Sequence, residues 1–332
     1  MRAMILAAGL STRLWPLTID RAKPAIPFLG RPLVGYVAEY LARYGCREVV
    51  VNLHHRPESV RAALGDGSRF GVRLQYTEEP EILGTGGALD NARALLDDGT
   101  FIVINGKIIT DIDLSEALRT HREREALATL ILRRNATRER FSTVLVRDGL
   151  IEGFGGPPAS DNVEGSAIAD PLMFTGIQIL EPRIFTYIPR GVFSHTTTDV
   201  YPSAIAAGER VVAHIAGGMW HELSTIERYL QTSLTVMRQE GRDVERGGGS
   251  RVEAGADVRA AVLWERVLIE AGAQVRRAVL GAGVRVRAGE RLTDVAVVRA
   301  DLAQGISRPT KAPAGEVRGD HFVVPLTECY NP

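Results

Sequence analysis

A repeat of 17 residues constrains the fold of this 332-residue chain more than any other feature of its sequence. The pentapeptide VEAGA at residues 252–256 recurs as IEAGA at 269–273 and as VRAGE at 286–290. Between these copies, aliphatic residues recur at steps of five or six. A fixed short period with aliphatic side chains in register is typical of the coils of a parallel β-helix. An irregular tail rich in Ala and Val would not produce three copies in register.

Before residue 240, apolar runs alternate with stretches typical of helices. The runs EVVVNL at 48–53 and FIVIN at 101–105 suit strands that are buried on both faces of a sheet. Further strands are predicted at 4–8 and 72–76, and helices at 33–44, 57–64, 85–96 and 114–123. This alternation predicts an α/β fold, Rossmann-like, with a mostly parallel sheet and helices on both faces. Ligands of such folds bind in the loops beyond the carboxyl ends of the strands.

These patterns divide the chain into an α/β domain at 1–240, a glycine-rich linker at 241–250 and a β-helix domain at 251–332. The stretch from residue 305 onwards is expected to be irregular. We expect the β-helix to cover the α/β domain or to assemble a homo-oligomer, because coil ends and flat β faces need covering. Its removal is then expected to leave ligand binding largely intact.

Charge and cysteine content exclude several classes of protein. Lys and Arg number 40, as do Asp and Glu, so the chain lacks the basic excess that nucleic acids and anionic membranes favour. No uncharged apolar run approaches the roughly 18 residues of a membrane span, and the short apolar N-terminal run is expected to be a strand rather than a signal peptide. Two cysteines, Cys46 and Cys329, exclude a disulfide framework and favour a reducing cytoplasm.

The segment that follows the first predicted strand carries features of a phosphate site. Residues 6–18 read LAAGLSTRLWPLT, and residues 22–27 read AKPAIP. A Gly/Ser/Thr turn after a buried strand offers backbone N–H groups to phosphates. Arg13 and Lys23 add the positive charge that a triphosphate needs.

A second loop, EPEILGTGG at 79–87, is a candidate base-recognition segment. Its glycines would let the backbone approach a flat ring. The same string also fits an ordinary helix start with Thr85 near the cap, and both interpretations can hold together. Glu79 either accepts hydrogen bonds from a guanine edge or is a solvated loop acid. The histidines, His195 among them, lack metal-ligand spacing and are expected to be ordinary residues.

Together these strings resemble the signature of the sugar-1-phosphate nucleotidyltransferases, LAAGxGTRLxPLT followed by Lys-Pro. The resemblance covers most of residues 1–240 and is strongest to the mannose-1-phosphate guanylyltransferase branch, which usually has Gly where this chain has Ser11. A C-terminal left-handed β-helix of the hexapeptide type is common in that family. The resemblance implies an enzyme that couples a hexose- or heptose-1-phosphate to a nucleoside triphosphate, GTP in this branch, with release of pyrophosphate.

Three positions depart from the family pattern. FIVINGKIITDIDL at 101–114 resembles the family's VNGD-IxTDIDL segment, but Lys107 replaces the Asp that binds catalytic Mg²⁺, and an ammonium repels that ion. WHELST at 220–225 resembles a Trp-x-Asp-x-Gly-Thr string, so Glu222 would be the remaining ligand. FGGP at 154–157 lacks the Lys that relatives carry before the Pro to hold the sugar phosphate.

The resemblance assigns roles to single residues. Nucleotide binding is expected of Leu6, Ala8, Gly9, Ser11, Thr12, Arg13, Glu79, Gly84 and Thr85. Catalytic roles are expected of Arg13, Lys23 and Lys107, sugar binding of Asn105, Gly106 and Gly176, and Mg²⁺ binding of Glu222 with Asp111 as a fallback. Either Lys107 pairs with Glu222 or reaches the triphosphate in place of the metal, or Mg²⁺ arrives only with the nucleotide. The alternative function is a regulatory relative that binds sugar nucleotides without catalysis.

Overall fold

The computed structural model describes residues 1–157 and 170–326. The strands up to residue 222 are β1 (Arg2–Leu6), β2 (Pro27–Phe28), β3 (Arg31–Pro32), β4 (Glu48–Leu53), β5 (Arg73–Glu78), β6 (Phe101–Asn105), β7 (Ile108–Thr110), β8 (Ala128–Arg134), β9 (Val144–Arg147), β10 (Leu150–Phe154), β11 (Leu172–Leu180), β12 (Val211–Ile215) and β13 (Trp220–Glu222). The α-helices of this part are α1 (Leu33–Arg43), α2 (Pro57–Leu64), α3 (Gly84–Asn91), α4 (Arg93–Leu96), α5 (Leu114–Glu123), α6 (Tyr201–Ala206) and α7 (Ile226–Gln239).

One large sheet organises this part, and in the described residues its order is β5-β4-β1-β6-β11-β8-β12-β10-β9. β5, β4, β1 and β6 pair in parallel, as do β8 and β12. β11 runs antiparallel to β6 and β8, and β10 runs antiparallel to β12 and β9. Seven of these nine strands therefore point the same way, which confirms the predicted mostly parallel sheet.

Helices cover both faces of this sheet, as predicted. Ala3 and Ile5 of β1 pack with residues of α1, α2 and α5 on one face. Met4, between them, packs with residues of α3, α4 and α6 on the other face. This alternation follows from the period of two along a strand, and it explains why β1, β4 and β6 are apolar at successive positions. No helix within residues 1–157 and 170–326 is both long and apolar enough to cross a bilayer.

The parallel strands β1, β4, β5 and β6 end at a single edge of the sheet. Leu6, the last residue of β1, pairs with Asn105, the last residue of β6. The loops that follow these strands therefore meet, and the sequence motifs lie there. The predicted helix at 85–96 is divided into α3 and α4 at Ala92.

The repeat region forms stacked parallel strands. Its elements are β14 (Val244–Arg246), β15 (Arg251–Val252), β16 (Asp257–Leu263), β17 (Leu268–Ile269), β18 (Gln274–Leu280), β19 (Arg285–Val286), β20 (Arg291–Arg299), α8 (Ala300–Ala303), β21 (Glu316–Arg318) and β22 (His321–Pro325). β14, β16, β18 and β20 stack in one sheet, and β15, β17 and β19 in another. Paired residues are one repeat apart, as in the column Val252, Ile269 and Val286.

The corners of this stack repeat with the same period. Gly255, Gly272 and Gly289 all have φ in the left-handed region, between +77° and +89°. Glycine adopts this conformation without strain, so the repeated Ala-Gly pair marks a turn between strands. The arrangement is compatible with the expected β-helix.

Two stretches differ from expectation. The interval 241–250, predicted to be a linker, contains β14, which pairs in parallel with β16 and so belongs to the stack. The stretch after residue 305, predicted to be irregular, contains β21 and β22, which extend the same sheet in antiparallel fashion. Cys329 lies outside the described residues.

A buried core joins the stack to the α/β part. The Trp264 indole N–H donates to the Tyr229 hydroxyl on α7 at 2.9 Å, and that hydroxyl donates to the Pro27 carbonyl. Trp15, two residues after Arg13, packs edge-on against Phe322 with ring centroids 4.9 Å apart. The stack therefore covers the α/β part as expected. The expectation that its removal leaves ligand binding intact is at odds with this contact. Removal would expose the core directly beside residues 7–13, the loop that is predicted to bind phosphate and is called the phosphate loop.

Trp264→Ala is expected to destabilise the whole protein by about 3–5 kcal/mol, because it leaves a large cavity in the shared core. Chemical denaturation measures this loss. Arg259→Ala, on an exposed face of the stack, is the matched control and should change the free energy of unfolding by less than about 0.5 kcal/mol. Independent unfolding of the α/β part, unaffected by Trp264→Ala, would contradict this description of the core.

Candidate active site

Two adjoining cavities form a cleft at the carboxyl edge of the sheet. The smaller, of about 310 Å³, lies against the loop that follows β1. The larger, of about 490 Å³, lies between β6, β11 and the segment 195–198. Leu6, Asn105 and Lys107 line both cavities, so the two meet at these residues.

The loop that follows β1 forms one wall of the smaller cavity. Gly9, Ser11, Thr12 and Arg13 line this wall, and Lys23 lies on it as well. Ser11 has φ +54°, in the left-handed region that favours glycine. This conformation explains why glycine would suit the position at which the chain departs from its family pattern.

Burial sets the protonation behaviour of Lys23. Burial, with a smaller effect from the charge of nearby Lys107, lowers the pKa of its ammonium to about 7, against the opposing effect of Glu222. Only 8% of the Lys23 residue is exposed. The smaller cavity thus contains a cation, Arg13, and a lysine that changes its charge near neutral pH.

An ion pair marks the junction of the two cavities. β7 and β13 pair antiparallel with Ile108 opposite Glu222, and the Leu223 N–H donates to the Lys107 carbonyl at 2.8 Å. This register brings the Lys107 Nζ against Glu222 Oε1. Burial by itself would raise the pKa of the Glu222 carboxyl, but the Lys107 and Lys23 charges more than offset this and hold the pKa below its usual range.

The residues present do not fit a Mg²⁺ site. Glu222 forms an ion pair with the Lys107 ammonium. Lys107 in turn occupies the sequence position at which the family pattern has the Asp that binds Mg²⁺, and an ammonium cannot replace that ligand. Asp111, the fallback ligand, follows the other end of β7, where its Oδ1 accepts from the Met219 N–H at 2.5 Å. Among the described residues, no group of three or more His, Cys, Asp or Glu side chains converges in a way that could hold a metal. The structure therefore places Asp111 and Glu222 at opposite ends of β7 and gives no support to their pairing in one site.

Glu79 is a structural carboxylate rather than a base-binding one. It is 2% exposed, and its two oxygens accept from Asn52 Nδ2 at 2.6 Å and from the Leu83 N–H at 3.0 Å. Asn52 Oδ1 in turn accepts from the Ala7 N–H at 2.6 Å. Glu79 therefore joins the loops that follow β1 and β5 to the end of β4. Its burial contradicts the interpretation as a solvated acid, and its partnered oxygens give no support to the interpretation as a base acceptor.

The glycines in the first turn of α3 serve packing. A Cβ at Gly84 would collide with the Ser194 carbonyl, and the Gly86 N–H donates to that carbonyl at 2.8 Å. The neighbouring Thr85 lies on the cleft, where its N–H faces His195 Nδ1 at 3.3 Å. Close approach at Gly84 is therefore made to protein backbone, and Thr85 is the residue of this loop that reaches the larger cavity.

A bulge in β11 shapes the far wall of the larger cavity. The register with β8 shifts between Phe174 and Gln178, and Gly176 within the bulge has φ +79°. A Cβ at this position would collide with the side-chain amide of Asn105. A side chain larger than hydrogen at Gly176 would therefore displace Asn105 from the cleft.

The structure brings most of the predicted site residues together. Those that line the cleft are Leu6, Gly9, Ser11, Thr12, Arg13, Lys23, Thr85, Asn105, Gly106, Lys107, Gly176 and Glu222. Those that lie outside its lining are Ala8, Glu79, Gly84 and Asp111. Sequence reasoning missed His195, Thr196, Thr197 and Thr198 and the aromatic side chains Phe141, Phe154, Phe174 and Trp220. His195 and Thr85 are 110 positions apart, so no local signal connected them.

Comparisons with known families and proteins identify relatives of the part of the chain that contains the cleft. Residues 2–239 match the family model described as nucleotidyl transferase. A UTP–glucose-1-phosphate uridylyltransferase of Synechocystis is 32% identical over 286 residues, which cover 81% of this chain and 72% of the relative. A mannose-1-phosphate guanylyltransferase of Mycobacterium tuberculosis is 28% identical over 71% of this chain and 64% of the relative.

A solved structure supports the fold. A Bacillus anthracis protein assigned as a glucose-1-phosphate thymidylyltransferase, solved in complex with sucrose, superposes with a TM-score of 0.62 at 21% identity. The superposition covers 72% of this chain and 95% of that protein. The family model covers most of the α/β part, which contains both cavities. The chain belongs to the nucleotidyl transferase family, and its relatives are sugar-1-phosphate nucleotidyltransferases.

Proposed function

We propose that the protein couples a hexose- or heptose-1-phosphate to a nucleoside triphosphate and releases pyrophosphate. One observation carries the proposal: the cavity lined by the phosphate loop, Arg13 and Lys23 adjoins a larger cavity whose lining is mostly uncharged. A triphosphate fits the first cavity by charge, and a sugar fits the second by size and polarity.

The reaction follows from this placement. An oxygen of the sugar phosphate attacks the α-phosphorus of the triphosphate, and the bond from that phosphorus to the bridging oxygen breaks as pyrophosphate leaves. Arg13 and Lys23 neutralise the triphosphate and the leaving pyrophosphate, and Asn105 and Gly176 position the sugar. Positioning and charge neutralisation supply most of the catalysis in such transfers.

The base we propose is guanine. Support comes from the resemblance of residues 1–240 to the guanylyltransferase branch and no longer from Glu79, whose oxygens are satisfied inside the protein. Relatives include both a uridylyltransferase and a guanylyltransferase, so this choice is separate from the proposed reaction. We also propose a cytoplasmic location, from cysteine usage, and a homo-oligomer assembled through the repeat region.

A second candidate function is a sugar-nucleotide sensor without catalysis. The observation that favours it is the Lys107–Glu222 pair, which stands where catalytic Mg²⁺ was expected. Both candidates require nucleotide binding, and only the first requires turnover.

Pyrophosphate release from a panel of sugar-1-phosphates and the four common triphosphates tests the proposed function. We expect release with at least one sugar, fastest with GTP, and a loss of about 100-fold or more for Arg13→Met, which removes a charged contact to the triphosphate. Arg147→Met, at an exposed arginine, is the control. Tight nucleotide binding without any release of pyrophosphate would favour the sensor. A preference for a pyrimidine triphosphate would contradict the guanine assignment and leave the proposed reaction in place.

Triphosphate affinity should depend on pH through Lys23. With a pKa of about 7, Lys23 is charged below that pH and neutral above it, so affinity relative to Lys23→Gln should fall as the pH rises from about 6 to about 8. The ratio of the two proteins' affinities at each pH cancels the contribution from titration of the nucleotide itself. Calorimetry measures it, with Lys311→Gln, an exposed lysine, as control. A ratio that stays constant across this range would contradict the role given to Lys23.

A further inference from the structure

We propose that the Lys107 ammonium is the anchor for the phosphate of the sugar-1-phosphate, and that Glu222 is the partner it leaves when this phosphate binds. The inference rests on the proposed function, because it assigns a residue to one substrate of that reaction. In this proposal, the Lys107 ammonium takes the place of a divalent cation at the junction of the two cavities.

The position of Lys107 supports this assignment. It lines both cavities, whereas Arg13 and Lys23 line only the smaller one. The phosphate of a sugar-1-phosphate has to reach the α-phosphorus of the triphosphate, so it must lie where the cavities meet. Lys107 is 36% exposed in its side chain, and its flexible stem lets the ammonium turn towards a ligand.

Among the described residues that line the larger cavity, Lys107 is the only lysine or arginine. The segment 158–169, which follows the FGGP string, contains no Lys or Arg in its sequence. A phosphate dianion in this cavity requires a cation close by, since burying it unpaired is strongly unfavourable.

The choice of lysine over arginine is informative in this chain. The sequence contains three lysines, Lys23, Lys107 and Lys311, among its 40 basic residues. Two of the three lie on the cleft, whereas all but one of the other 38 basic residues are arginines. A compact ammonium acts as a point charge, like the metal ion it replaces, whereas a planar guanidinium would fill the junction.

Glu222 is the ion-pair partner of Lys107 before the phosphate binds. Its side chain is only 11% exposed, so without Lys107 it would be a nearly buried, unpaired carboxylate. Glu222 therefore competes with the phosphate for the same ammonium. Neutralising Glu222 should strengthen phosphate binding, whereas neutralising Lys107 should weaken it. If Glu222 were a metal ligand instead, its neutralisation would weaken binding and the effect would require the metal.

The test measures binding of mannose-1-phosphate and glucose-1-phosphate by calorimetry, in EDTA and in excess Mg²⁺. We expect equal affinity of the native protein under both conditions. Lys107→Met should raise the Kd at least about tenfold, and Glu222→Gln should lower it severalfold. The double variant that combines Lys107→Met and Glu222→Gln should bind the sugar phosphate as weakly as Lys107→Met alone, because Glu222 acts through Lys107. Lys311→Met is the matched lysine control.

The outcomes separate this inference from the proposed function. Binding that requires Mg²⁺, or that is weakened by Glu222→Gln, would overturn the inference even if pyrophosphate release occurs. A protein that never releases pyrophosphate but shows the opposed effects of the two variants, with inorganic phosphate as the probe, would retain the anchor and lose the proposed reaction. Lys107→Gln replaces Lys107→Met if the latter does not fold, as judged by its circular dichroism and by its thermal unfolding.

Discussion

The pairing of Lys107 with Glu222 is the interaction on which the electrostatics of the cleft depend. Three basic side chains and one carboxylate lie within a small, partly buried volume. Without Glu222, the positive charges would repel one another, and Lys23 already has its pKa lowered by burial and by Lys107. Without Lys107, a nearly buried carboxylate would be unpaired. The pair keeps the empty cleft stable and leaves an ammonium available at the junction.

The surrounding structure holds this pair and the phosphate loop in place. Ala7, Asn52, Glu79 and Leu83 form a continuous chain of hydrogen bonds across the ends of β1, β4 and β5. On the other side, Trp15 packs against the repeat region through Phe322. The repeat region thus supports the cleft from outside, although none of its described residues, up to residue 326, lines either cavity.

Much of this architecture could be predicted from the sequence, because it depends on periodic or contiguous signals. The repeat at residues 252–290 predicted the spacing of the stacked strands, and the apolar runs at 48–53 and 101–105 matched β4 and β6 residue for residue. The replacement at Lys107 was also visible, since it interrupts a contiguous motif. The predictions that the structure did not support concerned residues whose roles depend on side chains that are distant in the sequence. The sequence does not reveal that Glu79 is buried among donors of its own protein, or that His195 meets Thr85 from 110 positions away. β14 was missed because three residues in a glycine-rich stretch carry no periodicity.

A crystal structure with a sugar-1-phosphate and a non-hydrolysable triphosphate, grown with Mg²⁺ present, tests the central claim most directly. The account predicts that the Lys107 Nζ has left Glu222 and lies within hydrogen-bond distance of the sugar phosphate oxygens, with no divalent ion bound to Glu222. A Mg²⁺ ion held by Glu222 between the two phosphates, with Lys107 turned away from both, would contradict it.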